Sequence, residues 1–249
     1  MTALRSPWKL NDSEARLALD ALVGQLDVRH PFAGLSVNFA AANLRLFRVE
    51  LPQSKNPPIA ESPDCYVRGN DLVSTYLQDD QRKIRGQVYW RALEWGPDRA
   101  PGVDLIVSVQ TSLLDSDPTL QVRSSVPARE ILGVTNIERG TVENITPDRG
   151  DSTTLCLHAP VPACWLFRLA AEELTYVEMV HPLDFVSSRF QEIVPGEVEH
   201  STQLFRGPLE KGVILRSRLR GVVLPRNDDV AGAIACYREF AASEPPLTA

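Results

Sequence analysis

The sequence has no apolar run approaching the ~20 residues that a membrane-spanning helix requires. It also has no excess of positive charge, with 26 Lys and Arg against 32 Asp and Glu and a net charge of −6 over 249 residues. The first absence argues against a helical membrane anchor. The second argues against nucleic acid as a partner, because a chain of this sign repels polyphosphate unless a local basic patch opposes the overall field. Only four cysteines occur, Cys65, Cys156, Cys164 and Cys236, with no Cys-x-x-Cys pair and no histidine at zinc-finger spacing. Buried free thiols are therefore expected rather than a zinc site. Met1 to Asn11 lacks the apolar core of a signal peptide, which makes the cytoplasm the expected location. The phosphate-binding loops of nucleotide enzymes, the Gly-x-Ser-x-Gly elbow and the His-Glu-x-x-His helix are missing as well. No metal or other cofactor is expected.

The residues that are present describe a globular protein, 43% apolar and 23% charged. At this length an all-β chain can still fold as one unit. Turn signals separate segments rich in β-branched and aromatic residues at 37–39, 44–51, 66–76, 86–95, 103–111, 119–126, 154–158, 164–169, 174–180, 198–205 and 212–224. The four from 66 to 126 read as an antiparallel meander, and Gly221 marks a place where the last strand can bend or bulge. Within 104–111, Leu105, Val107, Val109 and Thr111 share one face and Asp104, Ile106, Ser108 and Gln110 the other, the pattern of a half-buried strand. Ala15, Leu19, Leu22, Val23 and Leu26 recur at helical spacing behind Asn11, Asp12 and Ser13, which predicts an N-terminal helix. A second helix starts at Asn227, with Asp228 and Asp229 in its first turn, and ends at Pro245 and Pro246. The proline-rich stretch 52–63 reads as a connection, and 127–151 as a boundary between two halves. The expected fold is thus mainly β, a large antiparallel β-sandwich with an N-terminal and a C-terminal helix. It forms one domain over 1–249, with 1–130 and 150–249 as two similar halves.

Three groups of residues can carry chemistry. Glu178, His181 and Asp184, beside Tyr176, place a carboxylate and an imidazole close in sequence and are the catalytic candidates. Strand alternation sets Glu178 and His181 on opposite faces, so a purely structural turn at Pro182 is the competing reading. Arg216, Arg218 and Arg220 form a ladder along one strand face that suits an anionic ligand, unless acids on facing strands, such as Glu178, Glu197 and Glu199, neutralise it. Trp90 joins them as a ligand-stacking candidate, since adjacent Tyr89 and Trp90 must face opposite sides. The other histidines, His30, His158 and His200, are isolated in sequence and read as structural.

An elongated antiparallel architecture with scattered Trp, Arg, Glu and His resembles the supersandwich of the galactose-mutarotase-like group. The resemblance implies a ligand site on a concave sheet face, where a histidine and a glutamate act as acid and base. His30-Pro31-Phe32 is similar to a His-Pro-aromatic element of that group but falls too early in the chain, and no catalytic residue is carried over. Two functions stay open. One is a carbohydrate-type ligand-binding sandwich for a sugar or another small anionic molecule, with or without epimerase- or lyase-like acid–base chemistry. The other is a non-enzymatic protein-interaction or regulatory domain.

Overall fold

A computed structural model describes residues 6–19, 22–39, 42–51, 63–78, 83–148, 156–158, 161–170 and 173–244. The chain first lays β1 (Trp8–Asn11), β2 (Glu14–Leu19), β3 (Leu22–Asp27), β4 (Leu35–Phe39) and β5 (Ala42–Glu50) side by side in a first sheet. It then crosses to a second sheet for the meander β6 (Asp64–Arg68), β7 (Asp71–Tyr76), β8 (Arg85–Trp95) and β9 (Ala100–Gln110). After the short β10 (Asp115–Ser116) comes β11 (Leu120–Asn136), 17 residues long and shared by both sheets. Its first half pairs with β5, and its second half with β12 (Thr141–Asn144). The remaining strands are β13 (Cys156–His158), β14 (Cys164–Leu169), β15 (Leu174–Val180), β16 (Ser187–Val194), β17 (Glu197–Leu204), β18 (Leu209–Glu210) and β19 (Ile214–Pro225). β17, β16 and β13 extend the first sheet beyond β11. β14, β15 and β19 complete the second, joining β11 to β9. β18 pairs with β10.

Strand alternation sends one set of apolar side chains between the sheets. Leu17, Leu35, Leu44 and Phe190 from the first sheet meet Leu72, Trp90, Leu105, Trp165 and Phe167 from the second in one continuous core. Each large side chain buried there contributes roughly 1.5–3 kcal/mol. The second sheet is also covered on part of its outer face. There the helix α1 (Asp229–Ala242) sets Ala233, Ile234, Cys236, Tyr237 and Phe240 against Cys164, Leu166, Val177, Met179, Val222 and Leu224. The expected β-sandwich and C-terminal helix are therefore present, and no described helix is long and apolar enough to cross a membrane.

The expected N-terminal helix is not. Residues 14–27 form the antiparallel pair β2 and β3. Ala15, Leu17, Leu19, Leu22 and Leu26 all face inward, whereas Val23, which the helical stripe included, is about half exposed at 51%. The same apolar residues satisfy a period of two once the chain reverses between Leu19 and Leu22, and tertiary pairing decides between the patterns. Other expectations shift for similar reasons. The segment 66–76 is a hairpin turning at Gly69, with φ +58°. β11 runs straight through the expected boundary at 127–136. β9 is buried on both faces, not one. Gly221 sits in an unbroken register instead of a bulge, and its missing side chain admits the ring of Tyr176. The N-cap position of helix α1 is Asp228, not Asn227, and its side chain makes no capping hydrogen bond. Pro245, Pro246 and most of the 52–63 connection lie outside the described residues.

Asp229 pins this helix to the sheet. Its carboxylate accepts hydrogen bonds from Arg168 at 2.9 and 3.0 Å and from the Thr175 hydroxyl at 2.7 Å. Burial raises the carboxyl's pKa, but these bonds and the Arg168 charge outweigh it and hold the group below its ordinary value. A depressed folded pKa contributes stability that is complete above the ordinary carboxylate range and is lost as pH falls through the depressed value. Asp229→Ala is expected to cost about 3 kcal/mol in urea unfolding at neutral pH, the loss of one partner of a buried ion pair. The difference from the parent protein should shrink as the pH is lowered below 4.

Candidate functional site

The structure separates the residues that the sequence groups together. Glu178 faces the inter-sheet core and is fully buried. It accepts hydrogen bonds from the Tyr176 hydroxyl and lies against His200 Nδ1, both at 2.8 Å. The His200 ring stacks on Phe190, with centroids 4.7 Å apart and planes at 15°, and is flanked by Trp165 and Phe167. Burial, followed by the adjacent Glu178 charge, pushes the Tyr176 phenol well above its usual pKa. His181 points the other way, under α1, where Nε2 meets the Ala241 carbonyl at 3.1 Å and Nδ1 accepts the Leu183 amide at 3.3 Å. Burial and the neighbouring Arg218 hold this imidazole below its ordinary pKa. Asp184 lies 4.0 Å from His181 and accepts both the backbone amide and Nε of Arg218 at 3.0 Å. Glu178 therefore does not meet His181 and Asp184, and no solvent-borne substrate reaches it. The pairing fits architecture better than catalysis.

The arginine ladder lies on the outer face of the second sheet, as alternation requires. Its acids are not Glu178, Glu197 or Glu199. Arg218 is held by Asp184, and Arg220 by both oxygens of Asp104, at 2.7 and 3.0 Å, with its guanidinium 4.7 Å from the Phe240 ring centroid. Arg216 instead reaches the Ser108 hydroxyl at 3.1 Å. Trp90 is fully buried between the sheets, so it packs the core and offers no surface to a ligand, while Tyr89 takes the outer face. The alternation argument had left open which of the two would turn inward.

The accessible polar chemistry collects on the outer face of the first sheet, which no α-helix covers among the described residues. β5 delivers its part through a local irregularity. Alternation from Arg45 would turn Arg48 into the core, but Leu46 and Phe47 are both buried, Phe47 has φ +54°, and the register to β11 shifts here. The extra residue returns Arg48 to the same face as Arg45, as a bulge does. The Phe47 amide, displaced from the ladder, donates to the Ser124 hydroxyl at 3.1 Å.

Arg48 then donates to Glu199 on β17 at 2.9 Å and, through Nε, to the Phe32 carbonyl at 3.2 Å. Arg123 on β11 reaches the other oxygen of Glu199 at 3.3 Å, Glu50 at 3.2 Å and the Gln121 side chain at 3.1 Å. Glu199 is only 15% exposed between its two arginines, whereas Arg48 and Arg123 are exposed to 27% and 32%. Beside Phe32 stands the one solvent-accessible imidazole–carboxylate pair among the described residues. His30 Nδ1 is 2.7 Å from Asp27 Oδ2, and the His30 ring meets Phe32 edge-on. Burial raises the Asp27 pKa, but hydrogen bonds with His30, the Arg29 amide and Ser13 outweigh it, so Asp27 lies below its ordinary value. A recess of ≈ 210 Å³ opens alongside, lined by Arg16, Gln25, Asp27, Gly34, Ser36 and Arg45 among others. It is smaller than the roughly 300–1,000 Å³ usual for drug-sized ligands, so it suits a small polar one. Among the described residues no group of three or more His, Cys, Asp or Glu is placed to hold a metal ion.

No protein-family model matches the sequence, and no curated protein is similar to it. Solved structures do share its fold. A candidate aldose 1-epimerase from Escherichia coli K12 superposes with a TM-score of 0.51 at 9% identity, over 88% of this chain and 98% of that one. The GalM/aldose epimerase homologue from C. elegans gives 0.52 at 8% identity, over 84% and 98%. The α-N-acetylgalactosaminidase NagBb from Bifidobacterium bifidum, in complex with GalNAc, gives 0.59 at 10% identity. That match covers 91% of this chain but 39% of the larger enzyme. At such identities the likeness establishes the fold, a β-sandwich of the aldose epimerase type that also occurs within carbohydrate-active enzymes.

Two substitutions separate architecture from site. Glu178→Ala leaves His200 and Tyr176 without their shared partner and is expected to lower stability by about 3–5 kcal/mol in urea unfolding. Gly34 has φ +70°, and a Cβ there would lie 2.6 Å from Arg48 Cγ and 2.7 Å from the Leu46 carbonyl. Gly34→Ala is therefore expected to displace the Arg48 side chain, seen as shifted Arg48 and Glu199 resonances, and to cost about 1–3 kcal/mol.

Proposed function

We propose that the protein binds a small carbohydrate on the outer face of the first sheet, with Arg48, Glu199 and Arg123 as the anchoring group. The observation that carries this reading is a largely buried carboxylate held between two partly exposed arginines, on a polar sheet face that no α-helix covers among the described residues. Such a group offers fixed donors and an acceptor side by side, which suits the adjacent hydroxyls of a sugar ring. The shared fold with aldose epimerase-type proteins supports the same class of ligand. His30 and Asp27 are the pair available for acid–base chemistry. Asp27, ionised at neutral pH, favours the His30 proton on Nδ1 and leaves Nε2 as the proton-transferring atom. Epimerase-like proton transfer is thus compatible with the site, and binding is its first requirement.

Titration of the protein with neutral aldoses and uronic acids, followed by thermal shift and by NMR, tests this. Arg48→Ala and Glu199→Gln should each weaken binding at least tenfold, about 1.4 kcal/mol, with urea unfolding as the control for folding. His30→Ala should leave binding in place and, if the protein speeds interconversion of sugar anomers, slow it by about a hundredfold. Absence of binding to every sugar at millimolar concentration would sink the proposal. A second reading as a protein-interaction module would then gain weight, since Leu113, Leu114, Val213 and Ile214 are all exposed.

A further inference from the structure

The outer face of the first sheet sorts its charges into rows. One row crosses the strands through Lys9, Arg16, Gln25, Ser36, Arg45 and Ser125, each opposite the next in the strand register. It carries three cations and meets no carboxylate until Glu199, which Arg48 and Arg123 already grip. Two residues along the strands, Glu14 stands opposite Asp27. Like charges thus face each other in both rows, Lys9 with Arg16 and Glu14 with Asp27, an arrangement that is destabilising in a sheet. Arg16, Arg45 and Glu14 are all exposed, and none of them forms an ion pair among the described residues.

The recess of ≈ 210 Å³ spans both rows, and all the residues that line it are described. Its floor is low, because Gly34 has no side chain and Ser36 a short one, while Arg16, Gln25 and Asp27 flank it on one side and Arg45 on the other. Arg16 and Arg45 are three inter-strand spacings apart, about 14 Å at ~4.8 Å each, a gap that two extended arginine side chains close on one small group. A guanidinium presents paired N–H donors that match a carboxylate. Ionised Glu14 and Asp27 only accept, and so suit hydroxyl donors. Asp27 is also the partner of His30, which puts the imidazole at the hydroxyl end. A monosaccharide with a carboxylate at one end and hydroxyls at the other satisfies both rows. The charge of the recess sets the kind of acid, since its two arginines and two carboxylates cancel. A phosphate monoester, at about −1.5 to −2 near pH 7, would place excess negative charge beside Glu14 and Asp27, whereas a carboxylate brings a single charge.

We propose, resting on the sugar reading of this face, that its ligand is a uronic acid, with the carboxylate held by Arg16 and Arg45 above Gln25 and Ser36 and the hydroxyls directed to Glu14 and Asp27. Isothermal titration and NMR of the full chain with glucuronic and galacturonic acid form the test, against glucose, galactose, glucose 6-phosphate and acetate at matched ionic strength. At least one uronic acid should bind about tenfold or more tighter than its neutral parent sugar and than acetate. It should also shift the amides of 14–16, 25–27, 34–36 and 45 saturably. Arg16→Gln and Arg45→Gln should each cut the preference for the acid over the neutral sugar by about threefold or more, with urea unfolding as the control for folding. Arg48→Ala should weaken both kinds of sugar alike. Neutral sugars bound as tightly as the acids, a sugar phosphate bound more tightly than either acid, or a preference that survives both arginine substitutions would overturn the uronic acid and leave the sugar site standing. Absence of binding to every sugar would overturn both.

Discussion

The sandwich is held to one geometry by a buried polar contact across its centre. Glu178 rises from β15 of one sheet and His200 from β17 of the other, so their 2.8 Å contact fixes how the sheets face each other as well as how far apart they lie. A carboxylate in an apolar interior is tolerated only when its lone pairs are satisfied. Here Tyr176 takes one oxygen and His200 the other, while Phe190, Trp165 and Phe167 exclude water. Further choices follow from that contact. Gly221 must lack a side chain, because a Cβ would come within 2.5 Å of the Tyr176 hydroxyl. Ser188 and Thr202 complete the chain of polar groups behind His200, 3.1 Å from each other. Apolar packing alone would tolerate many offsets between two flat sheets; a directional contact of this kind tolerates few.

Much of the β architecture could be read from residue patterns, because strands buried on both faces, such as β14 and β15, are dense in apolar and β-branched residues and have clear ends. The limits expected for these two, Cys164–Leu169 and Leu174–Val180, are the observed ones. β2 and β3 were not legible, since Ala15, Leu19, Leu22 and Leu26 satisfy a helix and a hairpin equally and only the partner strands decide. β16 went unseen because Ser187, Ser188, Arg189 and Gln191 dilute its apolar signal, although Phe190 is fully buried.

The site was less legible than the fold for a specific reason. Sequence proximity suggested Glu178 with His181, but alternation had already put them on opposite faces, and Glu178 finds its partner 22 residues away. The arginine ladder was correctly assigned to one face, yet its acids, Asp184 and Asp104, come from a turn and from β9, 34 and 116 residues distant. Arg48 is the clearest case. A strict period of two points it inward, and only the bulge at Phe47 returns it to the surface. A faint signal existed in Gly34, for a glycine followed by an alternating strand can mark a close approach of another backbone. Nothing in the sequence says which backbone that is.

The two outer faces differ because only one of them carries α1. On the second sheet the helix buries Val177, Met179, Val222 and Leu224, and the charged residues at its border must be neutralised to be covered. Arg220 meets Asp104 beneath Phe240, Arg218 meets Asp184 and the Ser243 carbonyl, and Arg168 meets Asp229. Desolvation thus dictates pairing beneath the helix. Among the described residues the first sheet carries no α-helix, so its polar residues are free of that constraint. Glu199 is held between Arg48 and Arg123 on neighbouring strands, with Arg48 also fixed by the Phe32 carbonyl. The bulge at Phe47 and the positive φ of Gly34 hold this group in place, and the sugar site proposed above rests on that geometry.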